Sequence, residues 1–172
     1  MESRYHIRRL VIDDLETYFA LRLESLENAP ANFMTSYREE KSSGILHYQN
    51  LLSHKTTDNL ILGAYVTNKL IGIVGIYQEH MLKARHKSNI WGLYVKPSFR
   101  HQGIGKALLN DAVLHATHVL KSVIVNITVE ATNMTAKKLY ESFGFQEWGK
   151  EPCAMQIEGQ FFDECHMSLL VQ

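Results

Sequence analysis

The sequence predicts an α/β (α+β) fold in which a mixed, mostly antiparallel central sheet of six to seven strands is flanked by about four helices. Three β-rich runs follow one another between residues 59 and 95 with no helical period between them, which indicates an antiparallel meander. Segments with helical spacing lie before this meander and between the later strands. The element order β-α-α-β-β-β-α-β-α-β-β therefore places helices on both faces of the sheet.

Length and composition limit the class of protein. The chain has 172 residues, and we expect residues 1–172 to form a single domain. Hydrophobic residues make up 45% and charged residues 21%, which is typical of a folded chain. The 18 Lys and Arg residues balance 18 Asp and Glu residues, so no nucleic-acid-binding surface is expected.

The sequence also indicates where the protein is located and whether it binds a metal. No apolar run approaches the roughly 18 residues of a membrane span. The first residues lack the apolar segment of a signal peptide. Cys153 and Cys165 have no CxxC partners, so neither a disulfide framework nor a metal site is expected. These observations predict a cytoplasmic protein with no membrane partner.

The first third of the chain predicts one strand and two helices. "YHIRRL" is a short strand, and Asp13 or Asp14 can cap the helix that follows it. Pro30 lies just past the end of this helix, and a second, weaker helix is predicted from about Glu39 to Leu52. Apolar residues recur along the first helix at helical spacing: Leu15, Phe19, Leu23 and Leu26.

The middle of the chain contains the meander. Thr67-Asn68-Lys69 is predicted to join its first two strands as a hairpin, and "ARHKS" is predicted to be the second turn. "NIWGLYV" is the third strand. After a glycine-containing loop, a long helix is predicted from one apolar row: Ile104, Leu108, Ala112, Ala116 and Leu120.

The last third is predicted to be β-α-β-β. "SVIVNITVE" is rich in β-branched residues and reads as a strand. The helix "TNMTAKKLYESF" ends before Gly144, a residue suited to a helix C-terminus. Two further strands are predicted between residues 146 and 170, with a turn near Glu158-Gly159. One face of the helix carries Ala136, Leu139, Tyr140 and Phe143.

The loop "RHQGIGK" between the third meander strand and the long helix has the features of an anion site. Glycines let the backbone approach a ligand closely, and a helix N-terminus attracts negative charge. A P-loop would need glycine at position 100 and Ser or Thr at position 107, where the sequence has Arg100 and Ala107. A dinucleotide fingerprint would need glycine in place of Leu108. A plain strand-to-helix turn with incidental glycines remains the alternative for this loop alone.

Two stretches taken together resemble the GNAT superfamily of N-acetyltransferases, which use acetyl-CoA. The first is "IWGLYVKPSFRHQGIGKALL", and the second is "VEATNMTAKKLYESFGF". The second contains the pattern Asn-x-x-Ala-x-x-Leu-Tyr-x-x-x-Gly-Phe, which begins at Asn133 and ends at Phe145. Both motifs occur in the family's order, and the predicted element order matches the family over nearly the whole chain.

The resemblance implies a set of cofactor-binding residues. In the family, the strand before the loop pairs through its backbone with the pantetheine arm of acetyl-CoA, and the loop holds the pyrophosphate. Asn133 matches a residue that contacts the cofactor near its pantetheine end, although an N-cap role would also suit it. The strand positions are Leu93, Tyr94 and Val95, and the loop positions are Arg100, His101, Gln102, Gly103, Ile104, Gly105 and Lys106.

The resemblance also implies a mechanism. An amine attacks the thioester directly through a tetrahedral intermediate, and Tyr140 matches the tyrosine that protonates the departing CoA thiolate. Without the resemblance, Tyr140 would be interpreted as a core aromatic residue. Asn89 occupies the position where some family members carry a glutamate base. The candidates left for the base are Glu79, His80 and Glu130.

The sequence says less about the acceptor substrate than about the cofactor. The resemblance places its pocket among the first two helices and the late strands, where Phe33, Tyr37, Glu39 and Glu40 are candidates for a cationic amine and Trp91 is either a pocket or a core residue. The expected acceptor is a primary amine on a small molecule or a peptide. Protein N-terminal acetylation and a non-catalytic acyl-CoA sensor are the alternatives. Open sheet edges near the late strands would also accommodate a homodimer.

Overall fold

The structure is a computed structural model that describes residues 5–54 and 56–171. Its sheet has seven strands in the order β1-β2-β3-β4-β5-β7-β6, and every pairing is antiparallel except that of β4 with β5. The strands are β1 (His6–Arg9), β2 (Asn59–Val66), β3 (Lys69–Gln78), β4 (Lys87–Val95), β5 (Ile124–Glu130), β6 (Gln146–Ile157) and β7 (Gln160–Leu170). The predicted mixed, mostly antiparallel sheet is confirmed.

Among the described residues, five α-helical segments flank the sheet: α1 (Leu15–Asn28), α2 (Tyr37–Glu39), α3 (Ile45–Ser53), α4 (Ile104–Leu114) and α5 (Met134–Glu141). A π-helical turn, Glu40–Gly44, joins α2 to α3, so the predicted second helix runs as one irregular helical stretch. A second π-helical turn, His115–Val119, extends α4. In the described part of the chain, no helix is both long and apolar enough to cross a membrane.

The two faces of the sheet carry separate hydrophobic cores. On one face, α4 packs its predicted apolar row against β2 to β5, and all five residues of that row are buried. On the other face, α1 and α3 pack against β2, β3 and β4 through residues such as Tyr18, Tyr48, Ile61 and Ile73. The sheet is therefore covered on both sides, as the element order predicts.

The predicted buried row of α1 is only partly correct. Leu26 is buried, but Leu15, Phe19 and Leu23 are half-buried. The helix instead buries a side that includes Tyr18, Leu21, Arg22 and Ser25. Apolar spacing misses this side because one of its members is a charged residue that has a partner inside the fold.

Asp14 stands at the N-cap position of α1, as predicted, but its carboxylate makes no cap hydrogen bond to the helix. It accepts two hydrogen bonds of 2.7 Å from Arg8 and one of 2.9 Å from the Tyr65 hydroxyl. The Arg8 guanidinium and these other donors lower the pKa of Asp14 to about 2. Asp14 thus links β1, β2 and the start of α1.

The predicted hairpin turns near Thr67 and at Glu158-Gly159 are confirmed, whereas the connection from β3 to β4 covers residues 79–86, so the last two residues of the predicted "ARHKS" turn lie in β4. A two-residue loop joins β2 to β3, with Thr67 at a φ of +55°. Glu158 and Gly159 join β6 to β7, both at positive φ, as a two-residue hairpin turn requires. Gly144, at a φ of +92°, follows the end of α5. At these points local residue chemistry is sufficient to fix the chain reversal.

Candidate active site

A gap opens in the middle of the sheet between β4 and β5. The two strands pair for only three residues, from Lys87 with Ile124 to Asn89 with Asn126. Further along, β4 bulges against β3, and Gly92 has a φ of +65° at the bulge. From Ile90 to Val95, β4 has no recorded pairing with β5. A run of backbone donors and acceptors therefore faces the gap.

A cavity of about 760 Å³ fills this gap and reaches both faces of the sheet. Its wall includes side chains of α4 and α5 on one face, and Arg22, Ala29 and residues 32–35 on the other. The cavity also collects most residues that the motifs indicated: Leu93, Tyr94, Val95, Arg100, His101, Gly103, Ile104, Gly105, Lys106, Asn133 and Tyr140. Gln102 lies in the same loop but is not part of the wall.

The loop from 100 to 106 forms one end of the cavity. Gly103 is the N-cap of α4 at a φ of +79°, and a Cβ built there would meet no atom within 4 Å. The first helical hydrogen bond is donated by the Ala107 N–H to the Gly103 carbonyl, which leaves the N–H groups before it available. Nε of Arg100 donates to the Val95 carbonyl at 3.0 Å. This open, donor-rich concavity suits a phosphate group.

Tyr140 lies on α5 with 6% of its surface exposed, and its ring packs 6.1 Å from that of Phe145. Burial raises its pKa above the ordinary value for tyrosine. Within residues 5–54 and 56–171, no hydrogen bond to its hydroxyl is recorded. The phenol therefore keeps its proton at neutral pH and can donate it into the cavity.

Asn133 both caps a helix and lines the cavity. Its Oδ1 accepts from the Ala136 N–H at 3.1 Å, which is the N-cap interaction of α5. Its Nδ2 donates to Oδ1 of Asn32 at 3.1 Å. The residue thus connects α5 to the segment after α1 across the mouth of the cavity.

Two glutamates stand side by side on the cavity wall. Glu130 of β5 is directly opposite Glu164 of β7. Glu130 already accepts from the Thr132 N–H at 3.0 Å and from the Thr132 hydroxyl at 2.7 Å. Glu164 is 7% exposed, and no hydrogen bond to its carboxylate is recorded among the described residues. Burial raises the pKa of Glu164, the nearby His166 partly opposes this shift, and the Glu151 carboxylate adds to it.

The hairpin candidates for a base lie elsewhere. Nδ2 of Asn89 donates to Glu79 at 2.8 Å, and Asn126 donates to Asn89 at 3.4 Å. These residues close the paired end of the gap, and neither Glu79 nor His80 is on the cavity wall. Sequence reasoning missed Glu164, which the sequence shows only as one of two adjacent acidic residues within the last predicted strand.

Glu39 and Glu40, the acidic candidates for binding an amine, form hydrogen bonds with other residues of the chain. Glu39 accepts from the N–H and hydroxyl of Ser36 as a capping box. Glu40 is buried and accepts from Arg22 at 3.1 Å and from the Tyr48 hydroxyl at 2.5 Å. The prediction that these two carboxylates face a cationic amine is therefore not supported.

The aromatic candidates behave differently from one another. Phe33 lines the cavity, whereas Tyr37 does not. Trp91 also lines it while packing on the α1 side of the sheet. A Cβ at Gly75 would lie 2.1 Å from the indole, so this glycine leaves the space that the Trp91 ring occupies. Trp91 therefore serves both the core and the cavity wall.

Comparison with known proteins gives a consistent result. Residues 20–145 match the acetyltransferase (GNAT) family. The chain is 32% identical over 112 residues to a spermidine N(1)-acetyltransferase of Thermoplasma acidophilum, which covers 62% of this chain and 66% of that relative. It is 27% identical over 145 residues to an uncharacterized N-acetyltransferase of Methanocaldococcus jannaschii, which covers 83% of this chain and 61% of that relative. The chain thus spans less than two thirds of the length of either relative.

A solved structure has the same fold at low sequence identity. The protein yncA of Salmonella typhimurium, solved with its cofactor acetyl-CoA, superimposes with a TM-score of 0.83 and 16% identity. The superposition covers 98% of this chain and 94% of that one. The family match extends over most of the chain, including the split sheet and both motifs. The chain therefore belongs to the GNAT family of acetyltransferases.

Proposed function

We propose that this protein is an N-acetyltransferase that moves the acetyl group of acetyl-CoA to a primary amine on a small molecule or peptide. The observation that carries the proposal is the split between β4 and β5. At this split, the loop from 100 to 106, the unpaired backbone of β4 and the buried phenol of Tyr140 all line one cavity. The amine acetylation named for the Thermoplasma relative and the acetyl-CoA in the Salmonella structure support the same conclusion.

The residues present fit acetyl-CoA. Backbone groups from Leu93 to Val95 can pair with the amides of a pantetheine arm in the manner of an added strand. The loop from 100 to 106 offers main-chain donors, and Arg100 and Lys106 add positive charge for a pyrophosphate. The open space beside Gly103 leaves room for this contact. When bound, the thioester supplies the acetyl group.

Two side chains provide the proton transfers that the reaction needs. Glu164 accepts a proton from the incoming ammonium, because it lines the cavity, its carboxylate has no hydrogen-bond partner among residues 5–54 and 56–171, and its pKa is raised. Tyr140, kept protonated by burial, donates its proton toward the departing sulfur, and the resulting phenolate takes up the second proton that the nitrogen loses after attack. The two residues enter the cavity from different elements, β7 and α5.

Calorimetric titration with acetyl-CoA, followed by assay of CoA release with a panel of amines, tests the proposal. Tyr140→Phe should lower kcat by about 10²-fold or more while leaving the acetyl-CoA affinity within about twofold. Tyr77→Phe is the matched control, since Tyr77 is a partly buried tyrosine that is not on the cavity wall. Absence of acetyl-CoA binding would overturn the proposal, and binding with no turnover of any amine would indicate a sensor.

A further inference from the structure

A buried arginine on the cavity wall has an unused hydrogen-bond donor. Arg22 of α1 is 5% exposed, yet it lines the cavity. Its Nε donates to Glu40 at 3.1 Å, and its guanidinium lies 4.8 Å from the centre of the Phe33 ring. Its Nη1 is buried without a hydrogen-bond partner in the described part of the chain.

An unpartnered buried donor is uncommon in a folded protein. The large majority of buried side-chain polar atoms are hydrogen-bonded, and a desolvated donor without a partner costs about 1–3 kcal/mol. An arginine can only donate, so the missing partner must be an acceptor atom. A ligand that brings an oxygen to Nη1 would satisfy this donor.

Nη1 points toward the β4 bulge, at the centre of the gap. A Cβ built on Gly92 would lie 3.9 Å from Nη1, so this nitrogen lies over the β4 backbone where no side chain intervenes. Gly92, Phe33 and Trp91 also line the cavity on this face of the sheet. The free donor therefore lies on the side opposite α4 and α5, where an acceptor substrate would enter.

The charges on this face form a complementary arrangement. Glu130 and Glu164 contribute carboxylates to the cavity wall, and Arg22 contributes a guanidinium. Glu40 accepts from Nε of Arg22, while Nη1 has no partner among the described residues. A zwitterion can place its ammonium beside the glutamates and its carboxylate beside Arg22. A polyamine would instead place a second ammonium against the Arg22 guanidinium, which is positively charged and can only donate hydrogen bonds.

We propose that Arg22 binds a carboxylate of the acceptor, so that the preferred acceptors are amino acids and related amino carboxylates rather than polyamines. The inference rests on the proposed acetyltransferase function and names the substrate class of the same cavity. Arg22 acts on specificity and does not take part in bond breaking. Its contact forms with the ground state, so its loss raises KM more than it lowers kcat.

The test compares matched acceptors on the wild-type protein. For each common amino acid, kcat/KM is measured for the free acid, its carboxamide and its decarboxylated amine, with 1,4-diaminobutane as the polyamine. We expect the best free acid to exceed its two analogues and the diamine by about 10- to 100-fold, the range of a charged hydrogen bond. Equal or higher values for the carboxamide or the diamine would overturn the inference.

Variants connect the preference to Arg22. Arg22→Met combined with Glu40→Gln removes both charges of the buried pair and avoids leaving Glu40 uncompensated. We expect this protein to lose the preference for the acid while still acetylating the decarboxylated amine. Glu40→Gln alone is the control and should keep the preference. A double variant that retains the preference contradicts the role of Arg22.

A binding measurement separates this inference from the proposed function. The free acid and its decarboxylated amine are titrated into the wild-type protein in the presence of CoA, so that no turnover is needed. Tighter binding of the acid supports the carboxylate site even if no amine is acetylated. Equal or weaker binding of the acid refutes the site even if simple amines are acetylated. This titration also decides the matter if the double variant does not fold.

Discussion

Glu164 is the carboxylate whose protonation should control the acid side of the pH profile. Burial and the neighbouring Glu151 raise its pKa above the usual value for glutamate, near 4.3. A base must be deprotonated to act, so kcat/KM should fall as the pH decreases through this raised pKa. Glu164→Gln should lower kcat by about 10²-fold or more and abolish that limb of the profile.

Glu151→Gln is the control for this prediction, because it removes a charge near Glu164 and leaves the base in place. The maximal rate should persist while the acid limb moves to lower pH. A Glu164→Gln protein with wild-type rate and an unchanged pH profile would exclude Glu164 as the base. Both profiles come from initial rates measured across a buffer series with saturating acetyl-CoA.

Residue types alone could identify only part of this site. Tyr140 and Asn133 were found because each sits in a local motif whose spacing is visible along the chain. Glu164 comes beside Glu130 only through the antiparallel register of β5 and β7, and that register joins residues more than thirty positions apart. The pairing of Glu40, one of the candidates for an amine, with Arg22 was not foreseen, because Arg22 lies on another helix and is buried with it.

The glycine in the loop before α4 leads to a prediction about acetyl-CoA binding. Gly103 and Gly159 have φ values of +79° and +83°, and a Cβ at either would meet nothing within 4 Å. Valine at either position should therefore destabilise the fold by a similar amount, on the order of 1–2 kcal/mol. Only Gly103→Val should weaken acetyl-CoA binding, by about tenfold or more, because a side chain there would enter the space of the phosphate.

Urea unfolding and calorimetry applied to both valine variants check this prediction. Gly159 lies in the β6–β7 turn and is not part of the cavity wall, so it reports the backbone strain alone. Equal acetyl-CoA affinities for the two variants would remove Gly103 from the binding loop. The comparison is matched because both glycines are exposed and left-handed.

Helices and strands were more predictable than the irregularities within them. Apolar spacing located α4, and alternating or β-branched runs located the strands. The π-helical turns at Glu40–Gly44 and His115–Val119 have no local sequence signal that sets them apart from α-helix. The bulge at Gly92 was also unforeseen, because a glycine in a strand is compatible with several backbone geometries.

The cofactor should hold the whole molecule together more tightly, because its cavity lies between elements from both halves of the chain. A ligand at 100 times its Kd stabilises the folded state by about 2.7 kcal/mol. For a protein of this length, this corresponds to an increase in Tm of roughly 5–11 °C. Thermal unfolding with and without acetyl-CoA measures the shift, and Gly103→Val should show a much smaller one. An unchanged Tm of the wild-type protein would contradict the cavity assignment.

Element order and strand number could be predicted because neighbouring segments pair locally in the meander and the last hairpin. The parallel pairing of β4 with β5 depends on a connection through α4. This pairing ends after three residues, and the sequence of neither strand predicts where it ends. The acceptor side was the least predictable region, since it combines α1, the segment after it, and β7. The homodimer and the cytoplasmic location remain predictions.

The strand order β5-β7-β6 has a consequence for shortened chains. β7 is made after β6 but lies between β6 and the rest of the sheet, and the recorded pairing of β6 is with β7. A chain that stopped at the Glu158-Gly159 turn would therefore lose two strands from the sheet while deleting the sequence of only one. β6 would have lost its partner strand, and the edge of β5 would be unpaired. Both could then pair with strands of other chains. Translation arrest at this turn would thus produce a species prone to aggregation.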